Sequence, residues 1–236
     1  MKGHLFRQRV ADRAGRFVKV CCIQDRSEAY AALEAGADAL GFVAAMPSGP
    51  GPISDQEIAH ILSELPSETC SFLLTSRTAP DDILRHLEIC PAEVVQVVRD
   101  IGPDNLASLC AARSDVTWVQ VVHVDSPEAV ERARRVDAIA DAILLDSGRP
   151  TAAQPTLGGT GETHDWSISK AIVQSASKPV LLAGGLRPSN IQMARNEVQP
   201  AGFDLCSGIR VDGLLDPVTT HAFFEALNEG REDEVV

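Results

Sequence analysis

Two side chains stand where acid–base chemistry is feasible. Cys21 closes the aliphatic run Lys19-Val20-Cys21-Cys22-Ile23, and a thiol at such a run's end becomes a base once nearby cations or helix N-termini lower its pKa. The competing reading is a small buried hydrophobe. Neighbours in extended chain face opposite ways, so at most one of Cys21 and Cys22 is expected to point inward. Asp146 ends the run Ala142-Ile143-Leu144-Leu145-Asp146-Ser147. Four apolar residues ahead of a carboxylate desolvate it and raise its pKa toward that of a general acid. Helix capping is its other use, but the next helix lies beyond a long glycine loop.

Three glycine clusters could hold an anion through backbone N–H groups: Gly158-Gly159-Thr160-Gly161, Gly184-Gly185-Leu186 and Ser207-Gly208-Ile209. Turns also need glycine, so each cluster alone says little. Lys19 and Asp204 lie inside apolar runs, where a salt bridge between buried charges explains them as well as substrate contact does. His123 and His164 are read first as satisfied polar residues at element ends and second as substrate ligands. Asp165 reads as a helix N-cap.

Positioning these residues requires a regular frame, and the chain supplies one. Aliphatic runs occur at 18–23, 39–43, 71–75, 94–98, 116–124, 142–147, 179–184 and 203–207. Helical patterns separate them, at about 28–35, 55–65, 80–87, 103–112, 127–136, 165–176, 188–198 and 217–228. The runs are nearly continuous in Val, Leu and Ile, as parallel strands covered by helices are. Eight such units close most naturally into a single-domain α/β fold, the (β/α)8 TIM barrel, with a doubly wound open sheet as the alternative. The expected organisation is an N-terminal polar extension over 1–17, the barrel over 18–229 and an acidic tail over 230–236. Cys21, Asp146, the glycine clusters and the long loops at 48–52 and 148–163 then all fall on the C-terminal face, where barrel active sites are built.

Composition narrows the partners. The 236 residues carry 21 Lys and Arg against 33 Asp and Glu, a net charge of −12, which disfavours nucleic acid and anionic membrane surfaces. With only 7 Phe, 2 Trp and 1 Tyr, base-stacking platforms are unexpected as well. The N-terminal residues show no apolar core of a signal peptide, and the longest apolar runs are strand-length. Six cysteines then suggest reduced thiols and a cytoplasmic location. No cysteine or histidine spacing matches a zinc site, so no metal is expected.

These residues taken together resemble the phosphoribosylanthranilate isomerase family of tryptophan biosynthesis. The likeness rests on Lys19-Val20-Cys21, the stretch Glu34-Ala35-Gly36-Ala37-Asp38-Ala39-Leu40-Gly41-Phe42-Val43, Leu144-Leu145-Asp146-Ser147 and Leu157-Gly158-Gly159-Thr160-Gly161. It extends through Asp165-Trp166, Leu182-Ala183-Gly184-Gly185-Leu186 with Asn190, and Asp204 with Ser207-Gly208. The resemblance implies an Amadori rearrangement without metal or redox cofactor, with Cys21 as general base and Asp146 as general acid. It also implies a phosphate cradle at Gly184, Gly185, Ser207 and Gly208, with Gly159 in a closing loop and Lys19 and Asp204 lining the substrate site.

The chain also departs from the family pattern. Cys21-Cys22-Ile23-Gln24 replaces Cys-Gly-Ile-Thr, and the loop 46–52 lacks the arginine that helps hold the anthranilate carboxylate in the family. Gln96-Val97-Val98-Arg99-Asp100 lacks a histidine, Glu162 replaces a lysine, and Arg210 stands where an acid is common. The expected function is therefore isomerisation of a phosphoribosyl amine whose amine half is open, with Arg99 or His123 as substitute contacts for anthranilate. Alternatives are an epimerase or aldolase acting on another phosphorylated sugar, and a non-catalytic phosphate-binding paralogue. Monomer and homodimer both fit.

Overall fold

In a computed structural model describing residues 4–148 and 163–229, the eight aliphatic runs are strands. They are β1 (Phe17–Val20), β2 (Ala39–Val43), β3 (Cys70–Thr75), β4 (Val94–Val97), β5 (Thr117–His123), β6 (Ala142–Asp146), β7 (Val180–Leu182) and β8 (Gly202–Leu205). Each pairs in parallel with the next, and β1 also pairs with β8, with Lys19 opposite Asp204. That last pairing closes the barrel and excludes an open sheet.

The helices are α1 (His4–Arg13), α2 (Arg26–Glu34), α3 (Asp55–Glu64), α4 (Pro80–Ile89), α5 (Pro103–Ala112), α6 (Ala129–Asp137), α7 (Trp166–Ser175), α8 (Ile191–Val198) and α9 (Pro217–Asn228). Their starts follow local chemistry. Asp25, Asp165 and Asp216 cap α2, α7 and α9, and Ser54 forms a reciprocal capping box with Glu57 on α3. Proline opens α4, α5 and α9, where its missing N–H costs nothing.

Strand residues alternate between two environments. Val18, Val20, Leu40, Phe42 and Leu73 pack outward against the helices, while Phe17, Phe72, Val119, Leu144 and Leu181 fill the barrel interior. Lys19 shares the inward parity of Phe17 and is fully buried.

Two features differ from the sequence expectation. The segment before Val18 is not merely polar: it contains α1, whose Phe6 is fully buried and packs edge-on against Phe17 and Phe72 at 5.5 and 5.7 Å. Phe6 N–H also donates to Glu93 Oε1 at 3.0 Å, so α1 is fastened to the barrel by both apolar and polar contacts. Secondly, β9 (Arg210–Val211) and β10 (Leu214–Leu215) form a small antiparallel hairpin after β8. Its turn is Asp212-Gly213, both with positive φ, a pair whose sequence signature was readable.

Candidate active site

The C-terminal ends of the strands open into a pocket. Cys21, Asp146, Gly184, Gly185, Asp204, Ser207 and Gly208 all line it, although they come from β1, β6, β7 and β8 and the turns beyond them. Lys19 lies beneath the pocket, and Gly159 falls outside the described residues.

Cys21 follows the last residue of β1, and its N–H donates to Leu205 O at 2.7 Å, continuing the ladder with β8. The thiol is lowered below its ordinary pKa by a hydrogen bond from Cys22 and by the Lys19 charge, against the opposing effect of burial. Gly41 makes this cluster possible: a Cβ there would lie 2.8 Å from Lys19 Cε and 3.0 Å from Cys21 Sγ. Lys19 Nζ pairs with Asp204 Oδ1 at 2.7 Å and lies 5.2 Å from the Phe72 ring centre. Burial works against the ammonium, but Asp204 and Cys21 outweigh it and hold Lys19 above its usual pKa. Burial pushes the Asp204 carboxyl up, with Lys19 pulling it back. Lys19 is thus the buried cation of a charge cluster under the thiol.

Asp146 ends β6, and one carboxylate oxygen accepts the Ser147 N–H at 2.7 Å. Burial moves its pKa up to about 6, the Ser147 N–H opposing and the Asp204 charge reinforcing that shift. The pocket therefore combines a thiol displaced toward its basic form with a carboxyl displaced toward its acidic form.

The turns after β7 and β8 touch closely. A Cβ on Gly208 would fall 1.8 Å from Leu186 O, so no other residue fits without moving the backbone. Asn190 steadies the same region, its side chain donating to Gly185 O at 3.0 Å and accepting the Arg187 N–H.

His123 and Arg99 do not border this pocket. They line an adjoining one that shares Ser48 and Val121 with it. His123 bonds Val98 O at 3.2 Å, and burial lowers its pKa, leaving a neutral ring. His164 bonds Ser169 Oγ at 2.6 Å beside Asp165, which caps α7 as expected. Gln96, not singled out from sequence, lines the main pocket with its Oε1 buried and without a hydrogen-bond partner among the described residues. Only the closed barrel reveals that orphaned acceptor.

Both Cys21 and Cys22 line the pocket, contrary to the alternation expected of extended chain. The strand ends at Val20, and Cys22 has φ +64, so the parity rule stops applying there. Among the described residues one trio of metal-ligand type, Asp55, His86 and Cys90, lies together. Arg77 pairs with Asp55 at 2.9 Å and His86 bonds both Asp55 and Thr75 at 3.2 Å, making the trio part of a network that ties α3 and α4 to β3.

Residues 18–226 match the family model described as PRAI, N-(5'phosphoribosyl)anthranilate (PRA) isomerase. The chain belongs to this family. An N-(5'-phosphoribosyl)anthranilate isomerase of Haloferax volcanii is 36% identical, the alignment covering 91% of this chain and 94% of that one. The enzyme of that name from Methanothrix thermoacetophila is 34% identical over 87% and 95%. Among solved structures, the phosphoribosyl anthranilate isomerase of Thermotoga maritima superposes with a TM-score of 0.77 at 28% identity, covering 90% of this chain and 98% of that one. The enzyme from Thermococcus kodakaraensis gives 0.75 at 29%, over 91% and 100%.

As an isomerase of this family, the chain has two departures that its structure explains. Cys22 occupies a left-handed conformation natural to the family's glycine, which costs a non-glycine residue about 1–2 kcal/mol. Arg210 donates to Cys22 O at 2.7 Å and Cys21 O at 3.2 Å and pairs with Glu28, buttressing that turn. No helix among the described residues is long and apolar enough to cross a membrane.

Proposed function

We propose that this family member performs the Amadori rearrangement of N-(5-phosphoribosyl)anthranilate in tryptophan biosynthesis, with Asp146 as general acid and Cys21 as general base. The observation that carries the assignment is the opposite displacement of these two pKa values within one pocket. Asp146 protonates the furanose ring oxygen, and the C1–O bond breaks to leave a protonated Schiff base between C1 and the amine nitrogen. The Cys21 thiolate removes the C2 proton, giving an enolamine that tautomerises to the 1-amino-1-deoxyribulose product. Lys19 acts through Cys21, holding the thiolate by charge. Asp204 positions Lys19 and borders the substrate.

The phosphate is assigned to the backbone around Gly184, Gly185, Ser207 and Gly208. Gln96 Oε1 is free to accept a sugar hydroxyl. Met46, Leu74, Val98 and Val121 supply an apolar wall suited to an aromatic ring. Among the described lining residues of this pocket there is no arginine, so Arg99 of the adjoining pocket is assigned to the anthranilate carboxylate. On the same reading the enzyme is cytoplasmic, needs no cofactor, and acts on its small phosphorylated substrate as a monomer or homodimer.

The test is turnover of phosphoribosylanthranilate, followed as loss of its fluorescence, in wild type, Cys21→Ser and Asp146→Asn. Turnover by wild type and its collapse in both variants is the expected result. A wild type that binds phosphate yet does not turn over this substrate overturns the reading.

A further inference from the structure

We propose that Cys22 and Cys206 form a reversible disulfide across the rim of the barrel, an oxidative modification site immediately beside the reacting groups. The Cys206 thiol donates to Cys22 Sγ at a sulfur–sulfur separation of 2.6 Å, closer than two unbonded sulfurs rest and not far from the roughly 2.05 Å of a disulfide. Both residues are thiols in the structure.

The backbone presents them to each other. Val20 and Leu205 are register partners at the ends of β1 and β8, and the Cys21 N–H to Leu205 O bond holds the chains at strand spacing one step further. Cys206 follows at once, and the positive φ of Cys22 turns its side chain toward the rim rather than outward. Space for that turn comes from Gly51, where any Cβ would lie 2.6 Å from Cys22 Cβ.

Reactivity is also provided for. Both cysteines line the open pocket, so a small oxidant reaches them, and Cys206 is partly exposed. Arg210 donates to the carbonyls of Cys21 and Cys22 and fixes the turn that carries the first sulfur, and Cys206, the less buried of the two cysteines, is the one an oxidant meets first.

With hydrogen peroxide the chemistry balances. The Cys206 thiolate attacks one peroxide oxygen, breaking the O–O bond to give a sulfenic acid and hydroxide, which takes up the thiol proton as water. The Cys22 sulfur then attacks the sulfenic sulfur, expelling a second water as the S–S bond forms. Two thiols and one peroxide thus become one disulfide and two waters, and a dithiol reductant reverses the outcome.

Bond formation has a consequence for Cys21. The Cys22 S–H that hydrogen-bonds to the Cys21 sulfur no longer exists in the disulfide, so the thiolate of Cys21 loses a partner. This consequence, unlike the bond itself, rests on the reading of Cys21 as the base.

The experiment treats the full-length protein with limited hydrogen peroxide, blocks remaining thiols, and maps the peptides by mass spectrometry beside wild-type and Cys206→Ser turnover before and after dithiothreitol. The expected result is a Cys22–Cys206 cross-linked peptide and a loss of turnover reversed by the dithiol. That loss is about tenfold near neutral pH, the worth of one hydrogen bond to a charged group, and shrinks as pH rises. In Cys206→Ser the reversible component, measured against the same variant's reduced state, disappears. Peptides showing oxidised Cys21 with Cys22 and Cys206 still alkylated, or a Cys21–Cys22 bond instead, overturn the proposal, as does an equal reversible loss in Cys206→Ser. The cross-link is read without activity, and reduced wild-type turnover reads the proposed reaction alone, so the two failures are distinguishable.

Discussion

Asp146→Asn should destroy turnover and at the same time stabilise the folded protein, by an amount that depends on pH in a predictable way. The carboxyl's ordinary pKa of 3.8 rises to about 6 in the folded chain because burial penalises its charge. Folding therefore favours the neutral acid, whose stabilising contribution is complete below about pH 3.8 and is lost as pH rises through about 6. At about 1.4 kcal/mol per decade, the displacement corresponds to about 3 kcal/mol of unfavourable charge burial above pH 6. Asp146 borders the pocket and is only partly buried, so water there screens the charge and about 1–3 kcal/mol is the expected relief in the neutral isostere. Urea unfolding of both proteins at pH 4 and pH 8 reads the difference. The variant's advantage should widen by about 1–2 kcal/mol between the two pH values, and near pH 8 should appear as a rise of several degrees in Tm. Turnover should fall by about 10²–10⁴, the usual contribution of a positioned general acid. A stability gap that does not change with pH, or a variant less stable than wild type at pH 8, would refute the buried-charge argument. Retained turnover would refute the role.

Three further outcomes test other parts of the site. Lys19→Met leaves the Asp204 carboxylate buried without its partner at 2.7 Å and should cost about 3–5 kcal/mol in urea unfolding, most of it regained in Lys19→Met with Asp204→Leu; a single variant within 1 kcal/mol of wild type would contradict this. Gly208→Ala drives a methyl into Leu186 O and should raise KM for the phosphorylated substrate about tenfold or more, with weaker inorganic phosphate binding in calorimetry; unchanged KM would remove the turn from the phosphate site. Arg99→Ala should raise KM by about ten- to a hundredfold with a smaller effect on kcat, the loss of one charge-assisted hydrogen bond, and an unaltered KM would mean that another group meets the carboxylate.

What was legible in the chain is what local pattern encodes. Continuous aliphatic runs alternating with capped helical stretches marked all eight strands, because hydrophobic periodicity and capping act over a few residues. The same locality placed Cys21 and Asp146 at strand ends and glycines in the turns after β7 and β8, so the membership of the pocket was largely readable. The aliphatic runs overshoot several strand ends by one to three residues, since side-chain character outlasts regular strand geometry, as at Cys21 to Ile23 after β1 ends at Val20.

Contacts between residues distant in the chain settled the rest. Lys19 could equally have been a substrate ligand until barrel closure set it against Asp204, 185 positions away. Phe6 gained its role from Phe72 and Phe17, and Gln96 became an open acceptor only when the neighbouring strands left it unpaired. The reversal at Cys22 likewise arose from its backbone conformation, which brought its sulfur to Cys206, 184 positions on. Residue types and their spacing were enough to say which side chains could carry acid–base chemistry and on which end of the strands they would stand. Their charge states came from burial and from partners contributed by β1, β6 and β8 together, and closure of the sheet is what brings those strands around one pocket.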